Sequence, residues 1–111
     1  HFWLNEGWTV WLERKITSKV KNSTEVGRLS AQIGYQHLKE SVQGFPPEEQ
    51  QFTQMVWPLN GEDPDLAFSS VPYEKGFNLL NYLETIIGTE HFEKFAKSYI
   101  DNFKFGTVST G

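Results

Sequence analysis

The residues of this sequence that could carry chemistry begin with two carboxylates, Glu6 and Glu13. They are set into the stretch Phe2-Trp3-Leu4-Asn5-Glu6-Gly7-Trp8-Thr9-Val10-Trp11-Leu12-Glu13-Arg14. Their separation is nearly two full helical turns, so on a helix both acids leave the same side. Around them Leu4, Trp8, Trp11/Leu12, Ile16 and Val20 recur every three to four positions and mark an apolar stripe. A carboxylate beside so much aromatic surface is costly unless something charged meets it, and a metal ion or a basic partner would serve. On spacing alone the plainer reading stands beside this one: two Glu on an amphipathic helix are ordinarily solvated.

The helix that positions these acids is predicted from about Leu4 to Lys21, with Asn5 or the residues just before it as the start signal. Arg14, Lys15, Lys19 and Lys21 fill its C-terminal half, where cations complement the dipole. Asn22-Ser23-Thr24 breaks the pattern, and Thr24 is suited to cap a second helix. There Val26, Leu29 and Ile33 repeat at helical spacing, and Gly27 and Gly34 point to close helix packing. His37 is expected on a half-exposed face rather than at a metal, because no second His or acid repeats at ligand spacing. Gly44-Phe45-Pro46-Pro47 ends the helix, since neither proline can continue it.

Glu48 to Gln51 is polar and expected to face solvent. Phe52-Thr53-Gln54-Met55-Val56-Trp57-Pro58 is extended in character, and Asn60-Gly61 turns the chain into the acidic loop Glu62-Asp63-Pro64-Asp65 and Leu66-Ala67-Phe68. Pro72 belongs at or near the first turn of a third helix, with Ser70 as its cap. That helix carries Tyr73, Phe77, Leu80, Leu83 and Ile87 on one stripe and stops at Gly88. Thr89 caps a fourth, with Phe92, Phe95/Ala96, Tyr99 and Phe103 inward, before the small polar tail Phe105 to Gly111. No internal repeat or low-complexity stretch occurs. The expected fold class is mainly α: about four helices with one long irregular connection.

The totals narrow the function classes. Aromatics make up 15% of 111 residues, with four Trp and nine Phe, which is too apolar for a disordered chain. A net charge of −4 argues against nucleic acid or an anionic membrane as partner. Zero Cys excludes disulfides and thiolate metal sites and fits a reducing compartment. No apolar run approaches the length of about 18 residues that would span a membrane. With no Met start and no signal peptide, the chain reads as one excised piece of a larger protein.

Two blocks of residues carry a resemblance. His1-Phe2-Trp3-Leu4-Asn5-Glu6-Gly7 with Leu12-Glu13-Arg14 is similar to the segment bearing the third zinc ligand of gluzincin aminopeptidases, in the leukotriene A-4 hydrolase/aminopeptidase branch. Asp63-Pro64-Asp65 through Ser69-Ser70-Val71-Pro72-Tyr73-Glu74-Lys75-Gly76 resembles the same branch at the expected distance downstream. The likeness covers nearly the whole chain and is weakest between Lys15 and Trp57. It implies the C-terminal helical half of a thermolysin-like catalytic domain, with residues 1–111 a single fragment of it.

The resemblance assigns roles by position. Glu6 takes the place of the third zinc ligand. The H-E-x-x-H that supplies two His and the general base is absent, and would lie upstream of His1. Glu13 takes the place of a partner for one of those histidines, with a salt bridge to a nearby Lys or Arg as the other reading. Tyr73, in Pro72-Tyr73-Glu74-Lys75-Gly76, takes the place of the phenol that stabilises a tetrahedral oxyanion; without the motif it would be read as a core aromatic. Glu74 and Lys75 hold this turn rather than touch substrate. Asp65 corresponds to the Asp that directs water to an opened lipid epoxide, but Phe68 stands where vertebrate-type members have Tyr, which puts lipid selectivity in doubt.

Phe2, Leu59, Pro64, Ala67 and Phe68 are candidate pocket lining, each equally suited to a core role. The function implied is a cytoplasmic zinc aminopeptidase acting on short peptides, with hydrolysis of a lipid epoxide as an extension. One ligand and no base leave the isolated fragment without zinc or activity, and exposed apolar faces favour self-association. The competing reading is a catalytically silent helical module that binds or scaffolds.

Overall fold

The computed structural model describes residues 2–58, 60, 61, 63, 65 and 69–111. Four α-helices organise it: α1 Phe2–Val20, α2 Thr24–Gly44, α3 Gly76–Ile87 and α4 Thr89–Phe103. A 3₁₀ turn at Pro47–Thr53 follows α2, and a π-helical turn at Val71–Lys75 runs directly into α3. No strand occurs among the described residues. The expected mainly α fold with one long irregular connection is what forms.

The helix ends follow local chemistry. Asn22, at φ 48°, takes the left-handed conformation that closes α1, its N–H donating to Lys19 O at 3.2 Å. The cap of α2 falls on Ser23, one residue before the expected Thr24, which is the first helical residue. Gly88, at φ 94°, ends α3 and also precedes α4, so Thr89 again lies inside its helix rather than at the cap. Of the segment Phe52–Pro58, expected to be extended, Phe52 and Thr53 close a 3₁₀ turn and Gln54 leaves it in an extended conformation. Pro47 starts that turn, and Phe52 is buried at 5.0 Å from the Trp57 ring.

The core forms where α1 crosses α3 and α4: Val10, Trp11, Phe77, Leu80, Phe92 and Ala96 are buried together. Trp8 covers it, stacked on Phe92 at 5.8 Å and on Tyr99 at 5.2 Å between centroids. Burying an aromatic of this size contributes about 2–3 kcal/mol.

Three stripes sit differently from expectation. On α1 the buried residues are Trp3, Gly7, Val10 and Trp11, while Leu12, Ile16 and Val20 are exposed. Apolar residues surround this helix, so periodicity leaves its facing open, and the glycine contact described below decides it. On α3 the exposed Ile87 gives way to buried Glu84, which forms an ion pair with Lys15 of α1. On α4 Phe92 and Ala96 are buried, whereas Phe95 and Phe103 lie half-exposed along its edge. The polar tail is tied back to the fold, because the Trp3 indole N–H donates to Thr110 Oγ1 at 3.0 Å.

Candidate functional site

Gly7 and Gly76 put α1 and the π turn at van der Waals distance. A Cβ built on Gly7 would lie 2.9 Å from the Gly76 backbone, and one built on Gly76 would lie 2.9 Å from Gly7 Cα. Any side chain at either position would force the elements apart. Glu6 precedes one glycine and Tyr73 lies three residues before the other, so this crossing delivers the two side chains to one place.

There the Tyr73 phenol comes within the electrostatic and hydrogen-bonding influence of the Glu6 carboxylate. Burial, then the negative charge of Glu6 and its capacity to accept the phenol proton, push the Tyr73 pKa above its ordinary value. The phenol is therefore a neutral donor throughout the physiological range. The turn that carries it is a π-helical insertion, a rare conformation that recurs at functional sites.

The rest of the turn is tied down. Arg14 grips Glu74 with two bonds, Nη1 to Oε2 and Nη2 to Oε1, both 2.9 Å. Lys75 Nζ donates to Thr53 O at 2.8 Å, joining the turn to the 3₁₀ segment. Glu74 and Lys75 thus hold the turn, as expected. A Cβ on Gly34 would collide with both Arg14 and Glu74, and one on Gly27 with Ser18, which accounts for these two glycines of α2.

The remaining candidates are dispersed. Glu13 is exposed near Leu12 and Ile16, with no ion pair among the described residues, and neighbouring Arg14 spends its charge on Glu74. Asp65 is exposed; its backbone N–H donates to Asp63 Oδ1 at 3.0 Å. Phe2 is exposed at the start of α1. Pro64 and Phe68, with Leu59 and Ala67, lie outside the described residues. His37 lies on an exposed face of α2. No group of three or more His, Asp or Glu suited to a metal ion occurs among the described residues.

The Gly7–Gly76 contact and the Arg14–Glu74 pair emerge only in the folded structure. A signal was present for the first, since each glycine directly abuts a block carrying a candidate site residue. None was present for the second, because the partners stand 60 positions apart.

Comparison with known proteins completes the picture. The Peptidase family M1 domain matches residues 1–111. Leucine aminopeptidase 2 of Ajellomyces capsulatus is 51% identical over 110 residues, covering 99% of this chain and 17% of that protein. Its namesake in Emericella nidulans is 48% identical over 94% of this chain and 16% of its own length. Among solved structures, yeast LTA4 hydrolase in complex with bestatin superposes with a TM-score of 0.93 at 44% identity, over 99% of this chain and 18% of that one. Native leukotriene A4 hydrolase from Saccharomyces cerevisiae gives 0.86 at 48% identity, over 93% and 16%. The chain spans less than a fifth of the length of these relatives. It belongs to peptidase family M1, in the branch of the leukotriene A4 hydrolases and leucine aminopeptidases.

Proposed function

We propose that residues 1–111 act as one piece of the catalytic domain of a zinc aminopeptidase that removes N-terminal residues from short peptides. The observation that carries this reading is the meeting of Glu6 and Tyr73 at the Gly7–Gly76 crossing. It unites a carboxylate from one resemblance block with a phenol from the other. A hydrolytic zinc needs three protein ligands and an open position. Glu6 supplies one, so these residues do not fit a complete site; the two histidines and the base would come from outside them. Zinc, when bound, supplies Lewis-acid polarisation of the scissile carbonyl and a water of lowered pKa.

This chain's own contribution is to hold a carboxylate and a neutral phenol side by side. Glu6 offers its oxygens from a rigid helix, and Tyr73 offers a proton to the oxygen that gains charge in the tetrahedral state. Glu13 would orient a ligand histidine by accepting its second N–H. Phe2, Pro64 and Phe68 would line the substrate pocket. Asp65 would direct water to a lipid epoxide if that second activity exists. The protein would work in the cytoplasm, alongside the rest of its chain, and the 111 residues alone would be inactive.

The test is zinc stoichiometry and peptidase kinetics on the full-length protein containing these residues. Glu6→Gln should lose most of its zinc, and Tyr73→Phe should keep zinc while kcat falls about 10²- to 10³-fold. Equal zinc in the wild type and Glu6→Gln would remove Glu6 as a ligand. An unaffected Tyr73→Phe enzyme would remove the oxyanion role. Asp65→Asn should spare peptide cleavage and abolish epoxide hydrolysis; equal loss of both would make Asp65 structural.

A further inference from the structure

We propose that Arg14 is a positioning residue for Tyr73, acting through its two-pronged bond to Glu74. The inference rests on the reading of Tyr73 as the donor to the oxyanion. Arg14 and Glu74 side chains are 10% and 12% exposed. Both Glu74 oxygens are taken by Arg14, and two further donors of the guanidinium are engaged: Nε gives to Ser30 Oγ at 3.0 Å and Nη2 to Ser30 O at 3.1 Å. The guanidinium carbon lies 4.2 Å above the Phe77 ring. One side chain of α1 therefore touches α2, α3 and the π turn.

A buried ion pair is a poor device for stability, since an apolar pair of similar volume often serves as well or better. It is a good device for fixing a rotation, because a bidentate fork admits one relative orientation. The element whose rotation needs fixing is the π turn. Glu74 is the residue next to Tyr73, and its backbone N–H donates to Ser70 O at 2.8 Å while its carbonyl accepts from Asn78 Nδ2 at 2.6 Å. On α1, Arg14 stands about 12 Å along the axis from Glu6. The same two elements are thus joined twice, by Glu6 with Tyr73 and by Arg14 with Glu74, on either side of the glycine crossing. The Gly7–Gly76 contact and the Lys75 bond to Thr53 O hold the turn against its neighbours, but neither grips the residue beside Tyr73. The two joins together set the direction in which the phenol points.

The experiment is a double-mutant cycle on the full-length, zinc-loaded protein, reading kcat and KM for a short peptide. Arg14→Lys keeps the charge and loses the fork. It should lower kcat about 10- to 100-fold, as expected for a misplaced catalytic group, with KM changed less than about twofold. In the presence of Tyr73→Phe the same Arg14→Lys change should cost less than about threefold, because the group it positions is gone. The paired change Arg14→Met with Glu74→Leu guards against simple unfolding. It should retain the thermal unfolding temperature and still lose kcat. Equal factors for Arg14→Lys with and without Tyr73→Phe would overturn the inference alone, as would a paired variant with unchanged kcat. A Tyr73→Phe enzyme of full activity would overturn the underlying reading, and this inference with it.

Discussion

Helix α1 has two apolar faces that meet different fates. The inner face places Val10 at 8% and Trp11 at 5% exposure, beside Gly7 and the paired Arg14. The outer face leaves Leu12 at 45% and Ile16 at 53%, and on α2 Leu29 at 58% and Ile33 at 50% are exposed as well. Hydrophobicity does not separate them; backbone geometry does. Glycine at positions 7 and 76 allows an approach that a Cβ would forbid, and the approach selects the face that carries it. Fold and candidate site share this one cause, because the crossing that buries Trp11 also joins Glu6 to Tyr73.

The comparison breaks most sharply in the core. Phe92 is fully buried against Trp8 and Trp11, so Phe92→Ala should cost about 3–5 kcal/mol in denaturant unfolding of the 111-residue chain. A loss under 1 kcal/mol would mean that the inner face is not the core. Glu74→Leu should cost about as much, because it leaves the Arg14 charge buried and unpaired. Adding Arg14→Met should recover most of that loss. If the double variant is no more stable than Glu74→Leu alone, the cost lies in the packing of the π turn rather than in the stranded charge.

Gly76→Ala should have a smaller effect on stability, about 1–3 kcal/mol, because the added methyl meets backbone rather than a side chain that can rotate away. The shift should separate the crossing elements and move Tyr73 away from Glu6. A neutral Gly76→Ala would show that the close approach does not select the face of α1.

Much of this arrangement was legible beforehand, for physical reasons. The four helices followed from period and punctuation, since prolines 46 and 47 and Gly88 act locally. Glu6 and Tyr73 were legible only through resemblance, because a lone Glu and a helix-facing Tyr have ordinary explanations on spacing alone. The facing of α1 was not legible: apolar residues on all sides satisfy more than one stripe. Glu84 was hidden for a related reason. A buried acid breaks the α3 pattern unless its cation, Lys15, is known to come from another helix. The π turn has no sequence signature beyond Pro72, which also suits the start of an ordinary helix.

The outer face gives the smallest effect on stability. An apolar side chain already in water contributes little to the folded chain, so Ile16→Glu should change unfolding by less than about 0.5 kcal/mol. The same substitution should alter association. Leu12, Ile16, Leu29 and Ile33 expose apolar surface, and uncovered apolar surface of this kind drives contact between molecules. Sedimentation of the 111-residue chain should show self-association that weakens in Ile16→Glu and weakens further when Ile33→Glu is added. A cost above about 2 kcal/mol for Ile16→Glu would mean that the outer face is packed within this chain. The contrast between the two faces of α1 would then vanish, and the glycine crossing would no longer explain which face is buried.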